Sequence, residues 1–304
     1  MGLLRHLTLA AVLLAPAAAL RAEPAVFATP EAAVEAFVAA LKAQDRAALL
    51  TVFGPESDDL IGSDDPEGDA EARDEFLKSY AAFSRLRPEG EGRVELQVGR
   101  TRWPFPVTLV SAAGGWSFDP AGARDEILAR RIGQNELEVI DLLRRAVGVQ
   151  ADFRRVDHDG DGVMEFAATI ISDAGARNGL YWPSEDGKPD SPIGAYMAQA
   201  AADGVSVDGQ DTDPEPFHGY YFRILTAQGA AAPGGAYDYM IGGNMVAGHA
   251  LLAYPAAPDE TGIMSFVVGE NGVVFEADLG PETLAIAGAM GAFDPGEGWA
   301  VVAE

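Results

Sequence analysis

The sequence predicts an α+β protein in two blocks behind an export segment. Three observations predict it. Early in the chain apolar residues recur at helical spacing and then switch to strict alternation. A second, longer helical pattern follows and again gives way to short alternating runs. Glycine pairs and triplets with Asn punctuate those later runs at hairpin spacing.

The export segment is residues 1–22. Met1 to His6 is a short basic start, Leu7 to Leu20 is an apolar run, and Leu20-Arg21-Ala22 offers a cleavage site ending on a small residue. The apolar run is shorter than the roughly 20 residues needed to span a bilayer. The remaining chain is expected in the periplasm or outside the cell, with no transmembrane segment.

The first block covers 27–131. Thr29 is the expected cap of a helix with Pro30 in its first turn, and Val34, Phe37, Val38 and Leu41 form its buried stripe. Asp45 caps a second helix through Phe53, stopped by Gly54-Pro55. Residues 54–68 read as a surface loop, and Asp69 caps a third helix carrying Phe76, Leu77, Tyr80 and Phe83. Val94, Leu96 and Val98 then alternate with polar residues, Trp103 to Val110 reads as a second strand, and Gly114-Gly115 turns the chain into Trp116-Ser117-Phe118. Residues 121–131 form a connecting helix.

The second block covers 133–304. Asn135 and Glu138 make an N-x-x-E capping pattern for a long helix to about Val156, with Leu137, Ile140, Leu143, Val147 and Phe153 facing inward. Met164 to Ile171 reads as a strand, 192–202 as a short helix, and 203–216 as an acidic, exposed stretch. Tyr220–Leu225, Tyr237–Ile241, Met245–Tyr254, Met264–Val268 and Val273–Phe275 read as consecutive strands. Gly242-Gly243-Asn244 and Glu270-Asn271-Gly272 are their tight turns, and Pro281 to Met290 is a last helix.

Charge and composition exclude several functions. The 304 residues carry 47 acidic against 21 basic side chains, a formal charge of −26. Like charges repel, so a general nucleic-acid or anionic-membrane binder is excluded. There is no cysteine, hence no disulfide, thiolate nucleophile or iron–sulfur cluster.

One constellation carries chemistry. In Asp157-x-Asp159-x-Asp161-Gly162-Val163-x-Glu165 the side chains at positions 1, 3 and 5 converge because glycine at position 6 permits a sharp turn. The Val163 carbonyl at position 7 and Glu165 at position 9 complete a candidate Ca²⁺ site. A hard cation that takes six to eight oxygens explains three aspartates so close together. Position 12 is Ala168, which supplies no bidentate carboxylate, so weak affinity on the order of 10⁻⁴–10⁻³ M is expected. The other reading of these residues is a solvated acidic turn after a helix.

The remaining signals point to structure. His218 starts a strand, His249 lies in an apolar strand as a hydrogen-bonded buried or half-buried group, and His158 is exposed in the acidic loop. Trp103, Trp116, Tyr181 and Trp182 are expected in core and rim packing. No H-E-x-x-H, G-x-S-x-G or phosphate-loop lysine is present, so no catalytic residue is assigned.

Trp103-Pro-Phe-Pro106, Gly115-Trp-Ser-Phe-Asp119, Arg131-Ile-Gly-Gln-Asn-Glu136, the Asp157–Gly162 loop, Gly179-Leu-Tyr-Trp-Pro183, His218 to Thr226, Pro233 to Asp238, Gly262 to Phe266 and Asp278-Leu-Gly280 together resemble the bacterial family known as domain of unknown function 2950. The resemblance covers nearly all of the chain after the export segment. It implies an exported bacterial protein and carries over no catalytic residue. Within it, the first block is similar to the nuclear-transport-factor-2-like cone. The second block is similar to the globular part of type IV pilins and pseudopilins, without their very apolar N-terminal half-helix.

These readings lead to an exported, non-catalytic binding or envelope-interaction protein with a structural calcium site. Its partner would be an envelope protein or a small ligand. The alternatives are a carboxylate-based periplasmic hydrolase, with His218 as a candidate participant, and a pilus or secretion-system accessory protein.

Overall fold

A computed structural model describes residues 23–62, 66–173, 175–184, 190–201 and 214–303. The segment 1–22, expected from the sequence to direct export, and most of the acidic stretch 203–216 lie outside the described residues. The chain is α+β, and it divides into two compact units between Glu126 and Ile127.

In the first unit, helix α1 (Pro30–Ala43) opens on Thr29, whose Oγ1 accepts from the Ala32 N–H at 3.2 Å, and it buries Val34, Phe37 and Val38. Helix α2 (Arg46–Phe53) is capped by Asp45, which accepts from the Ala48 N–H at 3.0 Å. The predicted loop 54–68 is partly helical instead. A 3₁₀ turn at Pro55–Ser57 leads into a one-turn helix α3 (Asp58–Ile61), and the Arg124 guanidinium holds Asp59 at 2.8 Å. Helix α4 (Pro66–Ala82) starts ahead of Asp69, because proline fits a helix's first turn and Glu67 suits its positive end.

Strands β1 (Ser84–Pro88), β2 (Arg93–Val98), β3 (Trp103–Pro104), β4 (Leu109–Ala112) and β5 (Gly115–Phe118) form an antiparallel sheet ordered β1-β2-β4-β5, with β3 on β2. Its β1 edge escaped the sequence reading. Ser-Arg-Leu-Arg-Pro shows no apolar alternation, and its pairing is supported by the cross-strand contact of Arg87 Nε with Glu95 at 3.2 Å. The single strand expected over 103–110 is split in two, since its prolines cannot donate to a ladder. Phe37 sits among Phe53, Phe76, Phe105 and Phe118 with ring centroids 5.1–5.8 Å away, an aromatic centre for this unit.

Helix α5 (Pro120–Phe153) is one continuous element where the sequence suggested two. Asn135 is not a cap. Its Nδ2 donates to the Thr261 carbonyl at 2.8 Å, and Glu136 Oε1 accepts from the Ile263 and Met264 N–H groups at 2.9 and 3.0 Å. These side chains, polar and helix-compatible, tie the helix to a turn far along the chain instead of starting it. Leu137 is 65% exposed, not inward. It lies two residues from buried Val139, about 200° around the helix, and the true stripe is Val139, Leu143, Ala146, Gln150 and Phe153. Glu136→Ala is expected to cost about 1–3 kcal/mol in urea unfolding because two amides lose an anionic acceptor, with Glu136→Gln recovering part of it. An unchanged midpoint for Glu136→Ala would show that the clamp contributes nothing.

The second unit continues with a parallel pair, β6 (Thr169–Ile171) and β7 (Gly179–Tyr181), and a short helix α6 (Ala195–Ala198). The strand expected over 164–171 is confined to its last three residues, because the preceding segment is used in side-chain and backbone ties described below. Next come β8 (Tyr220–Leu225), β9 (Ala227–Gln228), β10 (Tyr237–Asp238), β11 (Met240–Ile241), β12 (Asn244–Met245), β13 (Ala250–Pro255), β14 (Met264–Gly269) and β15 (Val274–Asp278). The unit ends with α7 (Thr283–Ala289), β16 (Ala292–Phe293) and β17 (Ala300–Val301). The main sheet is antiparallel and ordered β17-β15-β14-β13-β8. Strand β13 is buried along its whole length, and the α5 stripe shares one core with Tyr220, Phe222, Leu252 and Phe266. Gly242-Gly243 and Asn271-Gly272 make the predicted tight turns. Among the described residues no helix is long and apolar enough to cross a membrane.

Candidate metal centre

The acidic loop begins where α5 runs out. Gln150, fully buried, anchors the helix end to the chain beyond the loop: its Nε2 donates to the Ala167 carbonyl at 3.0 Å and its Oε1 accepts from the Ala167 N–H at 2.9 Å. The loop between must reverse within a few residues. Gly160 (φ 82°) and Gly162 (φ 87°) supply the left-handed backbone that this needs.

That turn gathers the aspartates. Carboxylate oxygens of Asp157, Asp159 and Asp161 all lie within 4.8 Å of one another, a group placed to hold a metal ion. Asp157 accepts from the Gly160 N–H at 2.7 Å and the Gly162 N–H at 2.9 Å, and these bonds hold its carboxyl below the usual carboxylate range. Asp159 accepts from the Asp161 N–H at 3.2 Å. Asp161 accepts from the Val163 N–H at 2.7 Å and, on its other oxygen, from Asn244 Nδ2 at 2.5 Å.

Glu165 is half-buried, with Oε2 accepting from the Met245 N–H at 2.9 Å. Burial pushes its carboxyl above the usual range. The Met245 bond opposes that rise, and repulsion from Asp159, Asp161 and Asp157 adds to it. Glu165 thus feels the field of all three aspartates. Val163 is exposed beside them, its N–H already given to Asp161. Every side chain that converges is a hard oxygen donor, which suits a hard divalent cation and not a thiolate- or imidazole-loving metal. Ala168 at position 12 gives its N–H to the Asn178 carbonyl and brings no carboxylate, as the sequence foretold.

The histidines depart from expectation. His158 is half-buried rather than exposed: its ring lies 4.2 Å from Phe153 and 5.4 Å from Trp182, and burial lowers its proton affinity. A ring against two aromatics gains more from contact than from water. His218 is exposed in a turn with φ 49°, against Phe217. His249 is buried as expected, at 1% exposure, but neither ring nitrogen has a hydrogen-bond partner among the described residues. Tyr181 and Trp182 are core residues, while Trp103 is 44% exposed. Sequence reasoning missed Asn244 and Gln150, whose partners lie 83 and 17 positions away. For His249 the only signal was one polar residue heading the run Ala250-Leu-Leu-Ala253.

Residues 24–302 match a sequence family whose description is "Protein of unknown function (DUF2950)". No curated protein and no solved structure matches the chain.

Proposed function

The chain belongs to the DUF2950 family of proteins of unknown function, and on that premise we propose that it is an exported, non-catalytic binding or envelope-interaction protein in which Ca²⁺ fixes the corner after α5. The observation that carries the calcium reading is the convergence of the Asp157, Asp159 and Asp161 carboxylates within 4.8 Å, with Glu165 in their field. Uncompensated, such a group repels itself; a divalent ion turns that repulsion into attraction. Asp157, Asp159, Asp161 and Glu165 would hold the ion through carboxylate oxygens and Val163 through its carbonyl. Its part would be structural, closing the turn between α5 and the Phe166–Ala167 segment. The basic-then-apolar start ending at Ala22 supports export into the periplasm or beyond.

The test is thermal. With affinity on the order of 10⁻⁴–10⁻³ M, about 10 mM Ca²⁺ stabilises the folded state by about 1.4–2.7 kcal/mol. For a unit of this size that is a rise in melting temperature of about 3–10 °C. Asp159→Ala removes one ligand while sparing the Asp157 turn bonds, so it abolishes the rise with little change in the metal-free midpoint. Identical melting curves in calcium and in chelator would exclude the ion.

A further inference from the structure

The second unit holds a cavity of about 310 Å³, and no residue of the acidic loop lines it. Phe222 of β8 and Leu251 of β13 line it from the main sheet, and Leu142, Ala146 and Val149 line it from α5. Those three recur at i, i+4 and i+7, so they share one face of the helix. Ile193 and Met197 supply a further wall. The space is held open by the backbone. The Ile193 N–H donates to the Leu180 carbonyl at 3.2 Å, and the Phe222 N–H donates to the Ala200 carbonyl at 2.9 Å. Segment 193–200 is thus tied at both ends, to β7 and to β8, and cannot settle into the gap.

Protein interiors pack as densely as organic crystals, and an unfilled space forfeits contacts for every atom around it. Water is a poor filler here. It needs several polar partners, and the side chains of Leu142, Ala146, Ile193, Phe222 and Leu251, all buried, offer none. Among the described residues, no buried polar atom that lacks a hydrogen bond belongs to the lining, so nothing inside calls for a polar guest. What fits is apolar. A cavity of about 150 Å³ with such a lining takes up benzene, so about twice that space suits roughly ten to twelve carbons. The volume lies at the lower end of small-molecule sites. The one charged side chain among the described lining residues is Arg145, whose guanidinium already meets Asp141 at 2.7 Å, both well exposed. With that charge answered and a chain carrying −26, an anionic headgroup gains no net attraction. An uncharged head can remain in water at that rim.

We infer that this cavity binds one uncharged apolar molecule of about ten to twelve carbons. The inference rests on the binding half of the function proposed above and gives it a ligand class. It does not depend on the acidic loop holding a cation: loss of this site leaves the calcium response in place, and absence of that response leaves this site in place.

The test follows side-chain methyl resonances by NMR on the full chain in chelator, so that its outcome is independent of calcium. The probe is 1-decanol, with decanoate and D-glucose as anionic and polar controls. The expected result is a saturable shift of the Ile193, Met197 and Leu251 methyls with 1-decanol, at a dissociation constant on the order of 10–100 µM. Decanoate should bind about tenfold more weakly or worse, and glucose should leave the methyls unmoved. Ala146→Phe fills the space from α5 and should weaken decanol binding by about tenfold or more in a protein that still melts cooperatively. Met197→Ala enlarges the space and keeps every backbone tie, so it should move the preference toward 1-dodecanol; it carries the test if phenylalanine does not fit the core. Three outcomes would overturn the proposal: shifts that stay linear up to the solubility of the alcohol, decanoate bound as tightly as decanol, or alcohol binding that neither substitution alters.

Discussion

Gln150→Leu is expected to destabilise the protein by about 2–5 kcal/mol, the largest effect of any single polar substitution in the second unit. The side chain is fully buried and makes both of its hydrogen bonds to one residue, Ala167, which is itself at 0% exposure. Leucine matches its size but leaves the Ala167 N–H and carbonyl without partners in a place water does not reach. Each orphaned group costs about 1–3 kcal/mol. Gln150→Glu is the informative companion: at neutral pH it keeps the acceptor, loses the donor and buries a charge. Chemical denaturation checks both, and a shift below about 0.5 kcal/mol for Gln150→Leu, the range of an ordinary surface change, would contradict the account. The substitution also loosens the chain on the far side of the acidic loop, so if the proposed ion binds there, the rise in melting temperature it brings should shrink with it.

Acidification below pH 6.5 is expected to cost about 3 kcal/mol through His249 alone. Burial pushes its imidazole down to about 4 from an ordinary 6.5, with Arg154 adding to the effect. Unfolded chains take up this proton as pH falls through 6.5, whereas the folded chain refuses it until about 4. The contribution is therefore complete above pH 6.5, declines between 6.5 and 4, and is gone below. The charged and titratable groups around the ring are Arg154, whose guanidinium lies over Phe166 at 4.6 Å, Glu270 on the β14–β15 turn, and the Tyr239 phenol, pushed up to about 12 by burial. Glu165 works in the opposite sense, because its raised carboxyl binds a proton more readily in the folded chain. Comparing wild type with His249→Phe at pH 7.5 and pH 4.5 isolates the histidine. The variant should be at least as stable as wild type at high pH and clearly more stable at low pH. Parallel loss of stability in both proteins would refute the assignment.

What could be read in advance followed a physical rule: local interactions were legible and distant ones were not. Thr29 and Asp45 bond to amides three residues on, so the starts of α1 and α2 showed in the letters. Gly242-Gly243 and the turn at Asn271-Gly272 were equally plain, since only a few residue types tolerate their backbone. The aspartate trio was legible for the same reason, its bonds spanning two to five positions. Asn135 and Glu136 misled because a capping pattern and a tertiary clamp use the same side chains; only the partners at 261–264 distinguish them. Leu137 misled because two apolar stripes fit one helix until the sheet chooses between them. Strand β6 was legible as the end of the run at 164–171, but its partner β7 was not, because it is short, fully buried and joined in parallel, without the alternation that marks a half-wet strand. His249 could be placed in the interior, but that neither of its nitrogens finds a partner among the described residues is something no spacing announces.

Asn244 and Met245 reach the acidic corner from 83 and 80 positions downstream. Neighbouring residues can bend the corner, but only a finished β11–β12 hairpin can hold Asp161 and Glu165 still. Ordering of the corner thus trails the assembly of the strands that follow it. An ion seated there would lock a door already hung, slowing departure from the native state instead of hastening arrival.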